Sequence, residues 1–200
     1  MAIPSFFSLN GSPATRLKAY HFLKFLIREV FFRLHENHLY LNDNDFEEAK
    51  KKLNGLGISN NDKFLVLSPE TRSKKKMKEW PYDRFLSLIK KIRQNHDFKI
   101  VTLVSKENPY NYDGTIPLKG YPLGPSAAMI SRSNFYLGLD NGLTHIASCF
   151  DVKILSIHIG YPVECAGPLS PFAKVVAHRP FEPPESISVD EVYKVFQELI

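Results

Sequence analysis

Leu137-Gly138-Leu139-Asp140-Asn141-Gly142-Leu143-Thr144-His145-Ile146-Ala147 decides how this chain is read. An apolar run from Phe135 to Leu139 breaks into the polar trio Asp140-Asn141-Gly142. It then resumes as Leu143, Ile146, Ala147 and Phe150 at helical spacing. The pattern predicts a strand, a tight turn and the first turns of a helix. A helix that starts directly after a strand presents unpaired N–H groups and its positive dipole end at the carboxyl edge of a sheet, which suits an anion. Asp140, Thr144 and His145 add side chains beside that point. A plainer account makes Asp140 or Asn141 a helix cap and His145 an ordinary buried histidine.

Upstream, Lys63 to Ser68 is a short apolar run that predicts the first strand of an α/β unit. The loop that follows, Pro69 to Pro81, holds Thr71, Ser73 and the lysines 74, 75, 76 and 78. Hydroxyls and lysines at a strand's carboxyl end can surround phosphate oxygens with charge-assisted donors. Lys74 to Lys76 also fit a plain solvated run. Pro81 suits the first turn of a helix reaching about Gln94. Lys99 to Val104 reads as the second strand, with Glu107 just beyond it. Thr115 to Leu118 is a short extended piece, and Pro125 to Ile130 a short helix.

Downstream, Val152 to Ile159 and Phe172 to Ala177 read as further strands. Between them runs a loop opened by Gly160, a residue that lets backbone approach a ligand closely. His158 fits core or rim packing. Ser188 caps a final helix over 189–199, with Val192, Val195, Phe196 and Leu199 on one face. About five apolar strands alternating with helices argue for a Rossmann-like parallel sheet with helices on both faces. The loops after successive strands then gather at one edge.

Asp140-Asn141-Gly142-Leu143-Thr144-His145 resembles the Asp-Ser/Thr-Gly-Leu-Ser/Thr-His signature of the ADP-heptose:lipopolysaccharide heptosyltransferases, glycosyltransferase family 9, with Asn141 in place of the usual hydroxyl residue. Lys78-Glu79-Trp80-Pro81 is similar to that family's Lys-x-Trp-Pro, and the order of elements matches. The glycine that precedes the family's glutamate has no counterpart before Glu107. From about Asn42 onward the chain resembles the C-terminal, donor-binding domain of a GT-B glycosyltransferase. The resemblance implies donor contacts from Thr71, Ser73, Lys78, Glu107, Asp140, Asn141, Gly142, Leu143, Thr144 and His145, with Glu107 on the nucleoside. It also implies inverting transfer of a sugar from a nucleotide-diphosphate sugar, ADP-heptose or a relative, to a lipopolysaccharide-type or other glycan acceptor. The family's N-terminal domain, which binds the acceptor and carries the aspartate thought to act as general base, has no counterpart in residues 1–35. A separate acceptor-binding domain is therefore an expected partner. The alternative is a stand-alone nucleotide-binding or interaction module, or a relic, without transferase activity.

Two organisational units are expected. Residues 1–41 carry an irregular lead-in and an amphipathic helix over 14–35. Its apolar residues are Leu17, Tyr20, Leu23, Ile27, Val30, Phe31 and Leu34, while Lys24 and Arg28 share another face. That helix fits packing on the following domain, docking of a partner, or contact with an anionic inner-membrane surface. Residues 42–200 form the nucleotide-sugar-binding domain. The 200-residue chain has 44% apolar residues, enough for a full core, and a net charge of +5 that favours anionic partners. The aromatics are not interleaved with the basic residues, which argues against nucleic acid. Two cysteines without Cys-x-x-Cys spacing, and no leader-like start, point to a cytoplasmic protein. No His/Cys cluster suggests a metal, and no cofactor is expected beyond the donor itself. An NAD-binding reading fails because no Gly-x-Gly-x-x-Gly follows the first strand.

Overall fold

The computed structural model describes residues 39–72 and 75–200. The helix expected over 14–35, Ser73 and Lys74 lie outside them. In the described part, α1 (Asp43–Gly55), β1 (Phe64–Ser68), α2 (Lys75–Lys78), α3 (Tyr82–Asn95), β2 (Lys99–Val104) and β3 (Ile116–Lys119) come first. They are followed by α4 (Leu123–Arg132), β4 (Phe135–Leu139), α5 (Gly142–Ala147), β5 (Lys153–His158), α6 (Val163–Ala166), β6 (Ala173–Ala177) and α7 (Val189–Gln197).

Six parallel strands form one sheet in the order β3-β2-β1-β4-β5-β6. This is the doubly wound, Rossmann-like arrangement. The sixth strand is β3, the piece that the sequence shows only as a short extended run. Its pattern is broken by Pro117 and it lies at the sheet edge, where a missing N–H is tolerated.

Both faces of the central strands are buried, so those strands read as continuous apolar runs with no alternation. Leu65, Leu67, Leu137, Leu139, Leu155 and Ile157 point to one layer, shared with Phe85, Leu88 and Ile92 of α3 and Val192 and Phe196 of α7. Val66, Val101, Tyr136 and Ile154 point to the other, with Ala49 and Leu53 of α1 and Ala128 to Ile130 of α4. Helix starts carry local chemistry. Asn42 and Asp45 form a reciprocal capping box at α1, and Ser188 accepts the Glu191 N–H at α7.

Chain direction reverses its winding between β1 and β4, which are adjacent in the sheet. In such sheets the crevice beyond the carboxyl ends at that switch point is where ligands bind. The loop of residues 69–81 and the Asp140-Asn141-Gly142 turn flank it.

Candidate functional site

The site begins with register. Ser68, the last residue of β1, pairs with Gly138 of β4, so the two loops leave the sheet side by side. Asn141 ties them together. Its Oδ1 accepts the Thr144 N–H at 3.1 Å, capping α5. Its Nδ2 donates to Ser68 Oγ and to the Glu70 carbonyl, both at 2.9 Å. A Ser or Thr at this position could cap the helix, but its single O–H could reach only one of those two acceptors.

Glu70 carries the lacing one strand further. Its carboxylate accepts from Ser105 N and, at 2.6 Å, from Asn108 Nδ2. The loops after β4, β1 and β2 are thus one hydrogen-bonded rim.

Lys78 reaches this rim from α2, a short helix inside the loop that the sequence shows only as a lysine run. Its Nζ stands 2.5 Å from Asp140 Oδ2, with the side chains 13% and 7% exposed. Two features hold the lysine in place. Trp80, buried at the loop's end, donates Nε1–H to the Ile187 carbonyl at 2.9 Å and meets Phe85 edge-on. Gly160 lies against the lysine stem, and a β-carbon there would come within 3.2 Å of Lys78 Cγ. The close approach at Gly160 admits the Lys78 stem. Gly160 has φ +100°, in the glycine-favouring region.

The residues implied by the resemblance divide into groups. Lys78, Asp140, Asn141, Gly142, Leu143 and His145 come together at the switch point. His145 Nε2 is 3.9 Å from Asp140 Oδ1 and the side chain is half exposed, which corrects its reading as a buried histidine. Space is open above Gly142, while Leu143 packs partly against the core.

Thr144 and Thr71 turn inward. Thr144 is buried, with its hydroxyl donating to the Leu139 carbonyl at 2.6 Å and meeting Tyr136 Oη at 3.1 Å. The Thr144 hydroxyl is thus bonded to the end of the strand that precedes its helix. Thr71 is buried too, and its N–H donates to Glu79 Oε1 at 2.7 Å. Glu107 sits exposed in the turn after β2, away from the Lys78–Asp140 pair along the edge.

Three further residues border the pair. Tyr161 places its ring 5.5 Å from Lys78 Nζ, and Phe181 meets Tyr161 at 5.5 Å between centroids. His158, at the end of β5, is 2% exposed with neither ring nitrogen hydrogen-bonded. Burial holds its pKa below the usual histidine value; Asp140 pulls it up, and Lys78 pushes it further down. The Tyr161 and Pro162 backbone also favours the charged form, without a hydrogen bond of ordinary geometry.

Chemically the site offers a positioned cation, an adjacent carboxylate, a solvent-facing imidazole and backbone N–H groups at one edge. Among the described residues no group of His, Cys, Asp and Glu is gathered as a metal ion needs. A surface groove between α3 and the Asp113–Gly114 turn lies apart from this site.

Solved structures share this fold. A glycosyltransferase family 9 protein of Veillonella parvula superposes with a TM-score of 0.65 at 19% identity, covering 81% of this chain and 53% of its own. The ADP-heptose LPS heptosyltransferase II of E. coli gives 0.64 at 17%, with the same coverages of 81% and 53%. An E. coli heptosyltransferase solved with ADP gives 0.60 at 16%, covering 70% and 45%. This chain has the fold of one half of a GT-B, family 9 glycosyltransferase. It spans about half the length of those structures. No family model matches the sequence, and no curated protein does. Among the described residues no helix is long and apolar enough to cross a membrane.

Proposed function

We propose that this glycosyltransferase-like domain binds the diphosphate of a nucleotide-sugar donor at the β1/β4 switch point and is the donor half of a sugar transferase. The observation that carries the reading is Lys78. Its ammonium is held by Asp140, Gly160 and the Trp80 anchor at the point where a doubly wound sheet binds ligands. Two of the superposable structures were solved with ADP or an ADP-heptose analogue. That is the source of the donor class proposed here: ADP-heptose or a close relative.

In the proposed reaction an acceptor hydroxyl oxygen attacks the anomeric carbon as the bond from that carbon to the diphosphate breaks. The electron pair stays with the departing diphosphate, and the acceptor proton passes to a base. Lys78 neutralises the charge that develops on the leaving group, a stabilisation larger in the transition state than in the ground state. The N–H groups of Gly142 and Leu143, at the start of α5, supplement it. Asp140 orients Lys78 and, through it, the donor. Glu107 contacts the nucleoside from the β2 side of the rim. The acceptor, a lipopolysaccharide-type or other glycan, and the base belong to a second, acceptor-binding domain, which also orients the nucleophile. Work at the cytoplasmic face of an inner membrane fits such an acceptor.

Calorimetric titration with ADP and then ADP-heptose tests the reading. Micromolar binding by the wild-type chain, weakened tenfold or more (about 1.4 kcal/mol) by Lys78→Ala, is expected. A folded wild-type chain that binds neither compound overturns the donor site and leaves an interaction module.

A further inference from the structure

We propose that the Tyr161–Phe181 ring pair is the surface against which the donor's sugar ring rests; this builds on the donor-site reading above. Phe181 has φ 64°, the left-handed region, and is the one non-glycine residue there among the described residues. A bulky aromatic in that region is a backbone outlier, since its β-carbon crowds the adjoining carbonyl. Two contacts hold it. Its N–H donates to the Gly160 carbonyl at 2.8 Å, and its ring meets Tyr161 edge-to-face at 73°. The strained turn thus joins the loop after β6 to the loop after β5. It also leaves Phe181 58% exposed, an arrangement that does nothing for the core.

Position assigns the occupant. Tyr161 is next to the cation, with Lys78 Nζ 5.5 Å from its ring centroid. A diphosphate on Lys78 therefore has one of its two organic ends within reach of the rings. Strand order puts Glu107, after β2, on one side of the switch point and Tyr161 and Phe181, after β5 and β6, on the other. With the nucleoside at Glu107, as proposed above, the group over the aromatic pair is the sugar. The chemistry suits it. The C–H face of a sugar ring carries slight positive charge and packs on the negative face of an aromatic ring, while its hydroxyls meet polar groups such as Asp140 and His145 at the rim.

The test is calorimetric titration of ADP and ADP-heptose into the wild-type chain, Phe181→Asn and Tyr161→Leu. Asparagine tolerates the left-handed turn, so Phe181→Asn removes the ring and keeps the backbone. ADP affinity is expected to stay within twofold in Phe181→Asn, while ADP-heptose affinity falls fivefold or more; in Tyr161→Leu, whose ring touches Lys78, the ADP-heptose loss exceeds the ADP loss. Equal losses for both ligands overturn the proposal in favour of a nucleobase on the rings. No loss for either overturns it in favour of a purely structural ring pair. A wild-type chain that binds neither ligand removes the donor-site reading and this proposal with it, an outcome distinct from binding that ignores Phe181.

Discussion

Lys78 Nζ and Asp140 Oδ2 stand 2.5 Å apart, joining the loop after β1 to the turn after β4 at the point where the sheet reverses its winding. Both side chains are largely withdrawn from water, and each is the other's ion-pair partner. Asp140→Asn leaves the lysine short of a counter-charge and is expected to lower stability by about 1–3 kcal/mol. Added ADP should recover more of the melting temperature in Asp140→Asn than in the wild type, because a phosphate then supplies the missing anion. Equal thermal shifts in both proteins would contradict this.

Asn141 both caps α5 and bridges to the opposite loop. Asn141→Asp keeps the acceptor for Thr144 N–H but loses the donors to Ser68 Oγ and the Glu70 carbonyl. It also sets a carboxylate against that carbonyl. A loss of about 1–3 kcal/mol in urea unfolding is expected. Asn141→Ser should fall between the wild type and Asn141→Asp, because it caps and keeps at most one of the two bridging donors.

Gly138 lies beneath the Tyr136 ring. A β-carbon at this position would come within 2.5 Å of Tyr136 Oη and 2.8 Å of the ring carbons. Tyr136 is fully buried, with its hydroxyl held by Thr144, so the ring cannot swing aside. Gly138→Ala is expected to cost about 1–3 kcal/mol through overpacking. The double variant Gly138→Ala/Tyr136→Phe removes the closest contact and should recover part of that loss.

His158 makes stability depend on pH. Its folded pKa lies below its ordinary value of 6.5, chiefly through burial, with Lys78 adding to the shift and Asp140 opposing it. The unfolded chain therefore takes up this proton first. Stability is full above about pH 6.5, falls as pH drops through that value, and levels off below the folded pKa. His158→Leu should flatten that part of the stability–pH curve, as read from urea midpoints between about pH 5 and 8. An unchanged slope would show that other groups carry it.

Much of the architecture was legible in the residues. The strand, turn and helix around Asp140-Asn141-Gly142, the caps at Asn141 and Ser188, and the two-sided burial of the strands all stand in the fold. These features depend on periodicity and on side chains bonding within three or four residues, which a sequence displays directly. Parallel strands then force their following loops to one edge, so the neighbourhood of Lys78 and Asp140 followed from the alternation of elements.

The tertiary structure decided which groups are spent and which remain available. Thr71 and Thr144 look like phosphate-facing hydroxyls in the sequence, yet burial turns both inward. Asn141 looks like a cap alone, and only strand register puts Ser68 and Glu70 within reach of its amide. Phe181 looks like an ordinary loop residue between prolines, and its left-handed turn against Gly160 is set by contact between two separate loops. A buried polar group bonds to whatever the packed chain brings near. That choice is made by elements far apart in sequence, so no local pattern carries it.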